Sequence, residues 1–127
     1  MDGSLQVAEL PAAWNAAIRR DLGLDVPDDS RGVLQDVHWS TGYIGSFPTY
    51  TIGNVMAAQL MDTLRGQDPA IDPSIAAGDY AVLAEALRTG IWQHGRRFGR
   101  DELLMRETGR GLDPAPYLGY LKGKYAD

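Results

Sequence analysis

Apolar residues recur along this chain at intervals of three and four, the period of a helix with one buried face. Trp14, Ile18 and Leu22 follow Pro11 at four-residue steps with alanines between them. They predict a first helix over 11–22, with proline in its first turn and Gly23 as its stop. Residues 24–31 are polar and broken by Pro27, which reads as a loop. Residues 32–49 show no clean period, and Gly42 and Gly45 mark turns, so this stretch reads as irregular backbone with a short extended piece. Periodicity resumes with Ile52, Val55, Met56, Leu60 and Leu64, predicting a helix over 48–65 that Gly66 stops. Gly53 inside it costs about 1 kcal/mol relative to alanine, which implies that something passes close by. Ala57 and Ala58 would also admit a close neighbour.

The second half repeats the pattern. Residues 67–73 form a proline- and aspartate-containing loop, with room for a short turn at 74–77. A helix over 79–93 is capped by Asp79 and buries Tyr80, Leu83, Leu87 and Ile91. His94, next to Gly95, reads as a residue that closes this helix against its dipole. A shorter helix over 100–108 carries Asp101 and Glu102 at its positive end and stops at Gly109 and Gly111. Asp113 and Pro114 then cap and start a last helix over 114–124, with Tyr117, Leu118, Leu121 and Tyr125 inward. The expected fold is all-α, with about five helices and one irregular glycine-rich loop. The 127 residues read as a single domain or fragment, with 1–10 as a tail.

Composition narrows the partners. The net charge is −5 and the isoelectric point is near 4.9, whereas nucleic-acid binding calls for a basic patch. Arg96, Arg97 and Arg100 form the one basic cluster, diluted by Asp101 and Glu102, so no nucleic-acid partner is expected. No apolar run approaches bilayer length, and the first ten residues lack the pattern of a signal peptide. The chain has no cysteine, which excludes thiolate metal sites and disulfides and fits a reducing cytoplasm.

Candidate chemistry concentrates in 32–54, GVLQDVHWSTGYIGSFPTYTIGN. It holds Gln35, Asp36, His38 and Tyr50 among glycines. An aspartate beside a histidine can fix its tautomer, and a tyrosine hydroxyl can donate to a developing oxyanion. The same loop is also explained by a structural role, with His38 and Gln35 satisfying backbone groups and Trp39 and Phe47 filling the core. A metal site within the chain is not expected, because His38 and His94 share no ligand motif and a catalytic zinc needs three protein ligands. No serine sits in a nucleophile elbow, and the glycines of 42–53 fit no phosphate-binding pattern.

The segment GVLQDVHW resembles the G-x-x-Q-D-x-H-W signature of the carboxypeptidase Taq family of zinc metallocarboxypeptidases. The continuation from Gly42 to Asn54 is similar to that family too. So are the alanines and Gln59 of NVMAAQL, the IWQHG and RETG segments, and the final YLKGKY. The likeness runs from about residue 10 to 125. It implies the C-terminal part of a larger, almost wholly helical zinc-peptidase fold that releases single residues from peptide C-termini. By that resemblance, His38 and Tyr50 would receive the scissile carbonyl and the tetrahedral oxyanion. Gln35 and Asp36 would bind substrate, Gln35 by positioning it and Asp36 by orienting His38. Ser46 departs from the aromatic residue more usual there, which touches packing rather than chemistry.

The family's H-E-x-x-H is not in this sequence. Zinc is therefore expected in the full-length enzyme, with none bound to this chain alone, which is expected to be inactive by itself. The alternative is a non-catalytic helical scaffold or dimerisation module, a truncated remnant of that enzyme. In either case apolar faces that lack partners predict a homo-oligomer.

Overall fold

A computed structural model describes residues 3–126. The described chain is all-helical and divides into two compact units, one running to Phe47 and one starting at Pro48. Met1 and Asp2, at the head of the expected tail, lie outside the described residues.

In the first unit a 3-10 turn at Val7–Glu9 leads into α1, Leu10–Leu22. Pro11 lies in the first turn of α1, and Gly23 closes it in the left-handed region (φ 70°), its N–H returning to the Arg19 carbonyl. Trp14 and Ile18 are half-buried, but Leu22 is exposed, because the face that covers the helix has ended by its last turn. The polar loop that follows is tied by Asp28. Its carboxylate accepts the Arg31 N–H at 2.9 Å and the Ser30 hydroxyl at 2.7 Å, capping a 3-10 turn at Asp29–Arg31. The backbone then dives inward at Gly32 and Val33, the buried residues of this unit. A short helix, α2 (Val37–Ser40), occupies part of the stretch expected to be irregular. Gly42 and Gly45 make the turns after it, each at φ +80°.

The second unit holds α3 (Pro48–Gln67), α4 (Ile71–Ala76), α5 (Ala81–Gly90), a 3-10 turn at Trp92–His94, α6 (Arg100–Thr108) and α7 (Ala115–Tyr125). Helix α3 packs against α4, α6 and α7, and α4 against α5. Val55, Ile71 and Leu104 are its buried apolar residues. No helix is long and apolar enough to cross a membrane among the described residues.

The five expected helices are present, and two short ones, α2 and α4, occupy segments read as loops. Several boundaries differ for identifiable reasons. Gly66 does not stop α3, since its φ is not left-handed; the helix ends at Gln67, before Asp68-Pro69. A residue preceding proline is disfavoured in helical conformation. Pro73 sits inside α4 but in its first turn, where a missing N–H costs nothing. The helix expected over 79–93 ends at Gly90, where the Ile91 N–H bonds the Leu87 carbonyl. His94 therefore lies beyond that helix end, in the 3-10 turn, with its ring 5.2 Å from that of Phe98. The N-cap is Tyr80, not Asp79 as expected, although Asp79, one residue earlier, accepts the Ala81 N–H at 2.9 Å. Tyr80, Leu118 and Tyr125 were expected inward and are exposed. Tyr80 and Tyr125 are amphipathic and stand at helix ends, and Leu118 lies on a face of α7 that a helical period alone marks as inward. Nothing lies within 4 Å of where a Cβ on Gly53 would stand, so no neighbour within the described chain accounts for that glycine.

The most buried polar side chain is Gln59, on α3, with no exposed area. Its amide nitrogen donates to the Thr108 hydroxyl (3.0 Å) and the Gly111 carbonyl (2.9 Å), and its amide oxygen accepts the Asp113 N–H (3.0 Å). Thr108 passes its own proton to the Leu104 carbonyl at 2.8 Å. One amide thus ties α3 to the end of α6 and to the start of α7. Arg110 reinforces the junction from outside, bonding Asp62 and Asp113 at 3.0 Å each.

Replacing Gln59 with leucine keeps the volume and removes three part-buried hydrogen bonds, to Thr108, Gly111 and Asp113, each contributing about 0.5–1.5 kcal/mol net. The expected loss in urea denaturation is about 2–4 kcal/mol, after partial relaxation of those groups. A loss no larger than that of an exposed-residue control such as Thr51→Ala would contradict this role.

Candidate functional site

The expected site residues fall in both units, so each group is described where it stands. The first unit carries Gln35, Asp36 and His38. The chain reaches them through Gly32, whose conformation (φ −122°, ψ −120°) sets the direction of the segment. A Cβ at Gly32 would lie 2.6 Å from Val26 Cγ1 and 3.2 Å from the Asp28 carbonyl oxygen. A glycine is needed because the capped turn at 28–31 and the side chain of Val26 occupy the space a methyl would fill. Val33 then anchors the segment in the core, while Leu34 and Gln35 turn outward. The Gln35 N–H bonds the Gly32 carbonyl at 3.0 Å, and its side chain is exposed.

Asp36 is the N-cap of α2. Its Oδ1 accepts the His38 backbone N–H at 2.9 Å and lies 2.6 Å from the Nδ1 of the same residue. Both side chains are substantially sheltered, Asp36 13% and His38 24% exposed. The carboxyl is held below its usual range, first by the His38 backbone N–H, then by the His38 ring and the Trp39 indole, against the opposing effect of desolvation. The signature spacing has a local explanation. An aspartate two residues before a histidine caps the helix that carries it and reaches its near ring nitrogen with the same oxygen. The Trp39 indole, one position later, makes the smallest contribution to the lowering. On its edge the imidazole meets Phe47, ring centroids 5.3 Å apart and planes at 85°. Behind it, the Tyr43 N–H takes the His38 carbonyl at 2.8 Å, so the turn through Gly42 folds back onto the histidine.

Tyr50 stands in the first turn of α3, in the second unit, and is exposed. The structure therefore brings Asp36 and His38 together, leaves Gln35 at the surface nearby, and sets Tyr50 on the scaffold helix that Gln59 anchors. Trp39 was expected to be structural, and its link to Asp36 adds a role. Gln59 stands on the apolar stripe of α3, four residues after Val55 and three after Met56. A polar residue in that register was the readable signal of a buried amide. Among the described residues no three histidine, aspartate or glutamate side chains converge as a metal ion requires.

An apolar groove of about 640 Å³ lies between α3 and α7, bordered by Ala57, Ala58, Met61, Tyr117 and Tyr120.

The family model for Carboxypeptidase Taq (M32) metallopeptidase matches residues 1–125. Thermostable carboxypeptidase 1 of Thermus thermophilus is 39% identical over 124 residues, 98% of this chain and 24% of that protein. The crystal structure of an M32 carboxypeptidase from Deinococcus radiodurans R1 matches 97% of this chain and 25% of its own, with 44% identity and a TM-score of 0.89. Trypanosoma cruzi metallocarboxypeptidase 1 matches 99% of this chain and 27% of its own, with 40% identity and a TM-score of 0.93. The chain thus spans about a quarter of the length of the relatives it matches.

Two outcomes follow from the local geometry. Gly32→Ala overpacks the segment against Val26 and Asp28 and should destabilise the chain by about 1–3 kcal/mol, read by urea denaturation followed by tryptophan fluorescence. A neutral effect would mean the segment does not need its close approach. The second concerns acid. A carboxyl with a lowered folded-state pKa contributes stability that is complete above its unfolded value and is lost as pH falls through the folded one. The Asp36 link should therefore persist at neutral pH and through the ordinary carboxylate range, and give way only below it. Carboxyl carbon shifts of Asp36 should report a midpoint under 3.8, its ordinary value; a midpoint at or above that value would contradict the assignment.

Proposed function

This chain belongs to the carboxypeptidase Taq (M32) metallopeptidase family, and from that premise we propose that it forms one wall of a peptidase active site. It corresponds to the C-terminal-side region of the family's proteins. The reaction is hydrolysis of the last peptide bond of a peptide, with zinc as the metal, held by residues outside this chain and supplying the activated water. His38 and Tyr50 receive the carbonyl oxygen as it becomes an oxyanion, Gln35 positions the substrate and Asp36 orients His38. The enzyme works in the cytoplasm, as the cysteine-free, acidic composition suggests.

The observation that carries this reading is the Asp36–His38 contact at 2.6 Å on a segment held by Gly32 and Val33. A preorganised donor stabilises the transition state without reorganising as the reaction proceeds, and removing one costs about 10²–10³-fold in kcat. A ring held by a carboxylate, an N-cap and an aromatic edge meets that requirement; an unsupported histidine would lose rotamer entropy on each turnover. Tyr50 draws its rigidity from α3, which the Gln59 amide fastens to α6 and α7. By itself the 127-residue chain releases nothing from a blocked dipeptide.

The direct test is a graft. Residues 10–125 replace the matching segment of the Thermus thermophilus relative, and C-terminal residue release is measured. The graft should be active. Tyr50→Phe should lower kcat about 10²–10³-fold with KM little changed, whereas Gln35→Ala should act mainly on KM. A Tyr50→Phe graft with undiminished kcat would remove the oxyanion role.

Self-association is a second reading, favoured by Val37, Trp39, Tyr43, Ile44 and Phe47, all exposed and close in sequence. We propose that the isolated chain forms a homo-oligomer. Light scattering should give a mass above 13.9 kDa that rises with concentration; a single monomer mass at every concentration contradicts it.

A further inference from the structure

The Asp36–His38 contact determines where a proton sits as well as where a ring points. An ionised carboxylate only accepts hydrogen bonds. At 2.6 Å from Asp36 Oδ1, Nδ1 of His38 must therefore carry its proton. The same oxygen takes the His38 backbone N–H at 2.9 Å, so it cannot turn away without uncapping α2. A neutral imidazole has one ring proton. With that proton on Nδ1, Nε2 offers a lone pair. Free imidazole side chains in water favour the opposite tautomer, so the contact selects the less common form.

We infer that Asp36 holds His38 in the Nδ1–H form, so that Nε2 donates a hydrogen bond only when the ring carries both protons. This deepens the proposed function and rests on its reading that His38 faces the reacting carbonyl oxygen. An oxyanion then receives from His38 a cation, with Asp36 as its counter-charge. The charged group within hydrogen-bonding distance on the ring's own segment is Asp36, and Phe47 meets the ring edge-on at 5.3 Å. When the ring is neutral, Nε2 can only accept.

The test needs no catalysis. The chain has two histidines, so His94→Gln leaves His38 as the single source of imidazole nitrogen signals. Nitrogen-15 spectra are recorded above the pH at which His38 becomes neutral. The expected pattern is a protonated Nδ1, with a downfield proton reporting the short bond, and a bare Nε2. Asp36→Ala should lose both features and return the ring to the common Nε2–H form. Neutral His38 in the Nε2–H form in the Asp36-containing chain overturns the inference, whether or not the Asp36→Ala chain folds. A folded Asp36→Ala chain that keeps Nδ1–H also overturns it, since another group would then be the cause. These outcomes are independent of the graft. A Tyr50→Phe graft with full kcat would sink the catalytic reading while leaving the tautomer result in place, and an Nε2–H result would sink the protonation state alone.

Discussion

One carboxylate oxygen, Asp36 Oδ1, constrains the whole candidate site. It follows the turn at 32–34, starts α2, and holds the ring of the residue two positions on. These duties are compatible only at this spacing. At the N-cap the side chain already points back over the first turn, so the near nitrogen of a histidine at the second helical position falls within its reach. The sheltered position strengthens the bonds and raises the cost of leaving the carboxylate unpaired. Everything upstream serves to deliver Asp36 there. The Asp28 cap sets the turn, and Gly32 passes where a methyl would strike Val26. Val33 then buries the segment beneath the pair.

The second unit solves a different problem. Its apolar core is small, with Val55, Ile71 and Leu104 the buried apolar residues among those described, and its helices meet at a polar junction. Gln59 makes that junction specific. An apolar residue there would bury comparable area without fixing where α6 ends and α7 begins. The amide reads three partners at once, and its geometry allows one register of the α6–α7 connection. Tyr50 sits nine residues earlier on the same helix, so its backbone position is inherited from this junction. A close backbone approach at Gly32 in the first unit and a polar junction at Gln59 in the second each fix the hydrogen-bonding groups of their own unit.

The helical architecture was legible because each long helix carries its own period and its own punctuation. The segment 100–108 matched residue for residue, since acidic residues at its start and a left-handed Gly109 at its end leave few alternatives. Short elements were not legible. Val37–Ser40 has too few residues for a period and owes its existence to the Asp36 cap, while Ile71–Ala76 hides behind prolines that a helix tolerates in its first turn. Burial was overstated wherever a large side chain lay near a helix end, as at Leu22, Tyr80 and Tyr125, because periodicity reports a face and not whether anything covers it. At the candidate site the pairing of Asp36 with His38 could be expected from spacing alone. The small influence of the Trp39 indole on the Asp36 carboxyl could not, because a tryptophan beside a histidine reads equally well as packing.

The central claim is that His38 and Tyr50 together receive the oxyanion of a peptide undergoing hydrolysis. The most direct measurement is a crystal structure of a family enzyme carrying this segment, bound to a phosphonate peptide that mimics the tetrahedral intermediate. The account predicts that His38 Nε2 and Tyr50 Oη both lie within about 2.7–3.1 Å of one phosphonate oxygen, with Asp36 still bonded to Nδ1. A phosphonate whose oxygens are held by other groups, with His38 and Tyr50 both beyond hydrogen-bonding distance, would contradict it.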